Sequence, residues 1–167
     1  MKLNEKWLAN AYISSMSRAF VNEDQYVEDL PDRPVSGHPN YVTPHGLQLI
    51  EAALDQARRN YGEAQAAGDR EALASSGRDL RYWNARRASA QILSRDPDAV
   101  GVQFGSTVTI VRDDGREQTF GIVGEDEADP AQGTISHVSP LARVLLRKSV
   151  GDVVRAGKDD AEIIAIE

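Results

Sequence analysis

Two carboxylates near the middle of the chain, Asp69 and Glu71, are the first candidates for metal chemistry in this sequence. Magnesium commonly takes one or two protein carboxylates and keeps several waters, so a converging pair of acids can help to hold it. Residues two apart on a helix point about 200° away from one another, so these acids can converge only if Asp69 lies in a turn. The alternative is structural: Asp69 caps a helix and Glu71 favours the positive end of its dipole.

A second group of acids stands at Glu125, Asp126 and Glu127, with Asp129 close behind. A metal site is possible in principle, but the spacing is not that of a calcium-binding loop. Runs of loop carboxylates are more often solvated turns. We therefore predict a solvated turn at these residues.

The predicted second helix carries basic residues with aromatic residues interleaved: Arg78, Arg81, Tyr82, Trp83, Arg86 and Arg87. Such a face could meet RNA or an acidic protein wall. Trp83 lies on the apolar seam of this helix, so we expect it in the core. Arg78 and Arg81 are better candidates for contact than the aromatic side chains.

Composition excludes several other kinds of site. The chain has no cysteine, which excludes disulfides, thiolate zinc sites and cysteine nucleophiles, and its 3 histidines disfavour a histidine-rich metal site. No apolar run approaches the ~18 residues that a membrane span needs, and the start of the chain does not have the pattern of a signal peptide. We predict a cytoplasmic protein without membrane contact. Whether Met16 is the true start stays open.

The net charge of −7 is concentrated at the end of the chain. Residues 96–167 carry 7 basic and 14 acidic groups, whereas residues 44–95 carry 8 basic and 6 acidic groups. An acidic C-terminal half argues against sequence-specific DNA binding as the main activity. It suits a protein partner that is attracted electrostatically.

Apolar spacing predicts an antiparallel helical hairpin over residues 41–95. Thr43 suits the N-cap and Pro44 the first helical position. A heptad seam follows at spacings of three and four residues: Leu47, Ile50, Leu54, Ala57, Tyr61 and Ala64. Gly68 ends this helix, and a second one runs to about Leu93. The second seam holds Leu73, Leu80, Trp83 and Ala90, and is weakened by Ser76 and Arg87.

The last third, residues 100–167, predicts a small β domain. Strands are expected at 106–112, 117–123, 134–138, 152–155 and 161–166, with a short helix over 141–148 that Pro140 begins. The predicted class is α+β: an N-terminal antiparallel helical hairpin, a coiled coil, followed by an antiparallel sheet with one short helix. Residues 1–40 predict an extended, poorly ordered lead-in with a possible short helix over 5–15, because three prolines punctuate its end.

Four blocks of the last third resemble the C-terminal domain of the GreA/GreB transcription elongation factors. They are Phe104–Thr109, Ile122–Asp129, Ile135–Ser136 with Ser139–Arg143, and Val150–Val154. Their shared order and similar gaps make the resemblance specific over about residues 102–167. Tyr41–Pro44 with Gly46 is similar to the start of the family's coiled coil, whereas residues 1–40 match nothing in the family. The resemblance implies a coiled-coil finger joined to an FKBP-like globular domain.

The resemblance also implies bacterial RNA polymerase as the partner. In the family, the globular domain docks at the rim of the polymerase secondary channel, through a corner that corresponds here to Val138, Ser139, Pro140 and Leu141. A simple helix cap explains the same pattern. The finger enters the channel and brings tip acids to the polymerase magnesium, where a second metal stabilises the attacking water. The metal would belong to the polymerase, so we expect no enzyme activity and no cofactor of the chain's own. Indirect contact with nascent RNA is compatible with this arrangement.

The tip departs from the family pattern, which reads Asp-Leu-x-Glu-Asn. Asp69 matches the first acid, but Ala72 stands at the second and Glu71 lies one residue early. Both helices also look shorter by about one heptad, roughly 10 Å of reach, as in the Gre-like regulator of nucleoside diphosphate kinase. Two functions stay open: an elongation factor that stimulates transcript cleavage, with Asp69 assisting the polymerase magnesium, or a non-cleaving competitor for the channel.

Two further hypotheses follow from the predicted domains. An FKBP-like domain raises the possibility of a peptidyl-prolyl isomerase, which needs an aromatic-lined apolar pocket. Residues 96–167 contain only two aromatic residues, Phe104 and Phe120, which argues against it. A dimer formed through the hairpin seam is permitted, but nothing in the sequence requires it.

Overall fold

A computed structural model describes residues 30–167 of the protein. The predicted lead-in is therefore seen only from Leu30 onward, and both the possible helix over 5–15 and Met16 lie outside the described residues. The elements are β1 Tyr41–Val42, α1 Pro44–Ala67, α2 Arg70–Ser89, β2 Gln91–Ile92, β3 Thr107–Arg112, β4 Glu117–Val123, a 3₁₀ turn Pro130–Gln132, β5 Thr134–Ser136, α3 Pro140–Leu145, β6 Val153–Ala156 and β7 Asp159–Ile166.

Helices α1 and α2 form the predicted antiparallel hairpin, here called the finger. The Thr43 hydroxyl caps α1 by accepting the Gly46 N–H at 2.9 Å. Gly68 ends α1 in the left-handed region, at φ 66°, where a residue with a Cβ would be strained. All six predicted seam residues of α1 are buried or half-buried. The 24 residues of α1 and the 20 of α2 correspond to about 36 Å and 30 Å.

The seam of α2 differs from the prediction. Arg87, expected on the seam, is exposed, and Arg86 is buried instead, at 1% exposure. Trp83, expected in the core, is half-buried and packs edge-on against Tyr82. The helix also ends at Ser89 rather than near Leu93, because residues 91–92 form β2 and pair with β1 in parallel. This two-residue ladder ties the base of the finger together.

The globular domain is a five-stranded sheet in the order β5-β4-β3-β7-β6. The α+β class is confirmed, but the sheet is mixed rather than wholly antiparallel, because β4 and β5 pair in parallel. Residues 124–133 are long enough to carry the chain back to the start of β4, which a tight hairpin turn cannot do. The core lies between this sheet and α3 and contains Val108, Ile110, Ile122, Leu145 and Ile163, all fully buried.

No helix within residues 30–167 is long and apolar enough to cross a membrane.

Candidate functional site

The finger tip, residues 68–71, places Asp69 in the turn between the helices. Its carboxylate accepts the Ala72 N–H at 3.0 Å and so caps α2. Glu71 is exposed in the first turn of the helix. An open groove of about 450 Å³ lies between the helices beside the tip, and Glu63, Asp69 and Asp79 are among its lining residues. Even so, no three acids or histidines among residues 30–167 are grouped closely enough to hold a metal ion.

The predicted corner lies between β5 and α3. Ser139 caps α3, since its hydroxyl accepts the Ala142 N–H at 3.2 Å. Pro140 occupies the first helical turn and is exposed, while Val138 and Leu141 are half-buried. Leu141 packs against the hydrophobic core. The corner is thus held rigidly from within and offers mainly Pro140 to a partner.

The predicted basic face of α2 is covered in part by residues 30–40, here called the strap. Arg81 pairs with Asp32 at 2.7 Å, and Arg33 pairs with Asp79 at 3.1 Å. The Arg33 guanidinium also lies over the Tyr82 ring, 3.9 Å from its centroid. Arg78 is half-buried and its Nε makes no hydrogen bond among the described residues. Arg81 and Arg78 are therefore less available to a partner than the sequence suggests.

The acidic run after β4 is not a solvated turn, and that prediction is wrong for its first three residues. Asp126 accepts a hydrogen bond from the Tyr82 hydroxyl at 2.6 Å and forms an ion pair with Arg86. Glu127 accepts the Thr43 hydroxyl at 2.7 Å. Asp129, by contrast, is exposed and caps the 3₁₀ turn. The acids bind the base of the finger because its basic and hydroxyl groups offset the cost of burying their charge.

Arg86 is the largest fully buried side chain of the described residues. Besides its pair with Asp126, its Nη2 lies 3.8 Å from Glu125. Its backbone carbonyl accepts the Asn40 side-chain amide at 2.8 Å, so the strap is joined to the same residue. Burial, followed by the hydrogen bond to Asp126, raises the pKa of Tyr82 to about 12, so its hydroxyl stays a donor at neutral pH. We call this set the joint: Asn40, Thr43, Tyr82, Arg86, Glu125, Asp126 and Glu127.

An aromatic cluster lies beside the joint. His137, 9% exposed, packs against the rings of Tyr41 and Phe104, with centroids 5.4 and 5.6 Å away. Neither ring nitrogen makes a hydrogen bond among the described residues. Burial lowers the pKa of His137, so the ring is held neutral. Phe104 is one of only two aromatic residues in the C-terminal part of the chain that could line an isomerase pocket. Its ring instead packs in this contact between β1 and the globular domain.

Sequence patterns placed Arg86 on an exposed basic face rather than in a buried ion pair, and they did not indicate Asn40 at all. A charged residue on a helix is normally predicted to lie at the surface. The only signal in the sequence for a buried ion pair was the opposite charge of the acidic run at Glu125–Glu127. The caps at Thr43, Asp69 and Ser139 were all predicted, because a cap depends on residues within one turn.

Comparison with known proteins gives a consistent family. Residues 97–167 match the family model described as "Transcription elongation factor, GreA/GreB, C-term". A transcription elongation factor GreB of Neisseria meningitidis serogroup B is 34% identical, over 77% of this chain and 93% of that protein. A transcription elongation factor GreA of Alkalilimnicola ehrlichii is 36% identical, over 74% of this chain and 82% of that protein.

Among solved structures, the GreA factor homolog 1 (Gfh1) protein of Thermus thermophilus matches with a TM-score of 0.38 and 20% identity, over 78% of this chain and 99% of that chain. The identity to GreB and GreA proteins along most of their length carries the assignment. This chain belongs to the GreA/GreB family of transcription elongation factors.

Proposed function

We propose that this protein binds bacterial RNA polymerase at its secondary channel and regulates elongation as a competitor that does not stimulate transcript cleavage. Family membership supports the partner, and the Val138–Leu141 corner is the proposed docking site. The observation that carries the non-cleaving reading is Ala72, an apolar residue at the position where the family's tip has its second acid. A cytoplasmic location and the lack of any intrinsic catalysis belong to the same proposal.

The tip offers one well-placed carboxylate rather than two. Asp69 stands in the turn, but the next family position for an acid is Ala72, whose side chain cannot bind a metal. Glu71 lies in the first turn of α2, two residues beyond the cap, so its side chain leaves the helix in a different direction. One of the two Asp69 oxygens already serves the cap. A second magnesium would therefore be held weakly at this tip.

The length of the finger supports the same reading. Its helices correspond to about 36 and 30 Å, and the resemblance implies that the family's finger is longer by about one heptad, roughly 10 Å of reach. A shorter finger can still occupy the channel and exclude another factor.

Backtracked elongation complexes in magnesium test the proposal directly. We expect no added transcript shortening with this protein alone, and slower shortening when it is added to a cleavage-competent GreB. Transcript shortening that the Asp69→Ala change abolishes would establish the cleavage factor instead. The Ala72→Glu variant, with Ala67→Glu as control, separates the missing second acid from the short finger as the cause. If Ala72→Glu gains cleavage, the missing acid is the cause. If it does not, the finger is too short to reach the polymerase magnesium.

The docking corner has a matched control within the chain. Pro140 and Pro130 are both exposed prolines in the first turn of a short helical segment. We expect Pro140→Glu to weaken polymerase binding and Pro130→Glu to leave it unchanged. Equal binding by both variants would remove the corner from the proposed interface.

A further inference from the structure

The joint connects the finger to the globular domain from several independent directions. Arg86 and Tyr82 reach Asp126 from α2, and Thr43 reaches Glu127 from the start of α1. The base of the finger therefore meets the acidic run on both of its helices. A single contact would allow a hinge, but contacts from two helices oppose rotation about either of them.

The backbone fit at the joint leaves little room for rotation. A Cβ on Gly46 would lie 2.5 Å from the Glu127 Oε2 atom, and one on Gly124 would lie 2.7 Å from the Tyr41 carbonyl oxygen. Real Cβ atoms do not approach other atoms so closely. Gly124 thus permits a backbone approach between finger and globular domain that any larger residue would disturb, whereas at Gly46 the carboxylate end of the Glu127 side chain would have to move.

The acidic run and the docking corner follow two strands that pair with one another. Strand β4 leads directly into Glu125–Glu127, and it pairs with β5, whose end leads into the corner. The pairing continues to His137, whose N–H donates to the Val123 carbonyl at 2.9 Å. The end of β4 is therefore the common anchor of the joint and of the corner.

We propose that Arg86, through its ion pair with Asp126, is a positioning residue that fixes the angle between finger and globular domain, so that docking of the corner determines where the tip lies. The position of the tip in the polymerase rests on the proposed function. The fixed angle between finger and globular domain in the free protein does not depend on that function.

A lever argument gives the size of the effect. Asp69 is the N-cap of α2, and Arg86 lies near the other end of the same helix. At a rise of 1.5 Å per residue, the tip is about 26 Å from the joint. A tilt of 10° at the joint would move the tip by roughly 4–5 Å over that length. A joint that allows this tilt therefore leaves the tip without a fixed position, even when the corner is docked.

Spin-label distances test the joint without polymerase. The chain has no cysteine, so nitroxides can be attached specifically to Ala66→Cys at the end of α1 and to Lys158→Cys in the turn between β6 and β7, both exposed sites. We expect one narrow distance distribution in the otherwise unchanged protein. Arg86→Met and Asp126→Asn should broaden it, Arg86→Lys should restore it in part, and the neighbouring Arg87→Met should leave it unchanged. If Arg86→Met does not fold, the isosteric Asp126→Asn carries the test. An unchanged distribution in the joint variants overturns the proposal.

Polymerase experiments test the consequence. For Asp126→Asn, we expect polymerase binding within about threefold of the unchanged protein, a difference of under 1 kcal/mol. In the complex, a nitroxide on Ala66→Cys should show a distribution of distances to a label fixed on the polymerase that is broader by several ångströms than for the unchanged protein, because a 10° tilt moves the tip by roughly 4–5 Å. A tip distribution in the complex as narrow as that of the unchanged protein would overturn the positioning role. If the unchanged protein does not bind polymerase, the proposed function fails, and the spin-label distances still decide whether the joint fixes the finger.

Discussion

The Ala72 N–H donates a 3.0 Å hydrogen bond to the Asp69 carboxylate, which makes the acid at the finger tip the cap of the helix that follows. The family pattern has an acid at the position of Ala72. Here that position has no acid, and its backbone N–H occupies one oxygen of Asp69. The tip of this finger is thus better suited to ending and starting helices than to holding a metal.

The cap gives a direct stability prediction. Asp69→Ala should lower the free energy of unfolding by about 1 kcal/mol, because the Ala72 N–H loses its partner, whereas Asp69→Ser should change it little. Urea denaturation followed by circular dichroism measures both. If Asp69→Ala is as stable as Asp69→Ser, the cap contributes nothing and the carboxylate is free for another role.

Local features of this fold were predictable, and contacts between the two units were not. The α1 seam and the cap at Ser139 follow from residues within one or two turns, and the β3–β4 hairpin follows from its turn. Arg86 is different, since its partner Asp126 lies 40 residues away and is reached only after finger and globular domain have docked. The parallel pairing of β5 was also not predicted, because an alternating strand pattern does not indicate the direction in which the strand runs in the sheet.

Removing the buried cation should be costly. In Arg86→Met, Asp126 and Glu125 remain partly buried without their counter-charge, and we expect a loss of about 3–5 kcal/mol. Arg87→Met breaks an exposed pair with Glu51 and should cost under about 1 kcal/mol. Guanidinium denaturation of both variants gives the comparison.

A second variant separates the ion pair from the packing. Because a buried pair can be replaced by apolar residues at little cost, Arg86→Met combined with Asp126→Leu should recover part of the lost stability. A double variant no more stable than Arg86→Met would show that the unpaired acid is not the source of the loss.

Two glycines with opposite surroundings test the close fit at the joint. Gly124→Ala should destabilise the protein by about 1–3 kcal/mol, because the new Cβ would overlap the Tyr41 carbonyl oxygen. Gly62 lies within α1 with open space around it, so Gly62→Ala should stabilise the helix by about 0.5–1 kcal/mol. Thermal unfolding of the pair should therefore shift in opposite directions. A shift in the same direction would contradict the close approach at Gly124.

The neutral His137 predicts a pH dependence of stability. Its pKa is lowered on folding by burial, so the unfolded chain takes up the proton more readily. The stability tied to the neutral ring is fully present above the ordinary histidine pKa near 6.5 and is lost as the pH falls through the lower folded value. His137→Gln cannot titrate in this range, so its unfolding free energy should fall less between pH 7.5 and 5.5. Equal slopes in urea titrations of the two proteins would exclude this role.

The strap should stabilise the finger through Arg33. Its guanidinium lies 3.9 Å from the Tyr82 ring centroid and 3.1 Å from the Asp79 carboxylate, at about one-third exposure. A partly exposed cation–π contact contributes about 0.5–1 kcal/mol and an exposed ion pair less, so Arg33→Ala should cost about 1 kcal/mol. Arg33→Lys keeps the charge but loses the flat stacking surface, and should cost an intermediate amount. Arg59 is an exposed arginine of α1 whose hydrogen bond to Gln56 stays within the same helix, so Arg59→Ala is the matched control. Equal unfolding free energies for Arg33→Ala and Arg59→Ala would mean that the Arg33 contacts of the strap with α2 do not stabilise the protein.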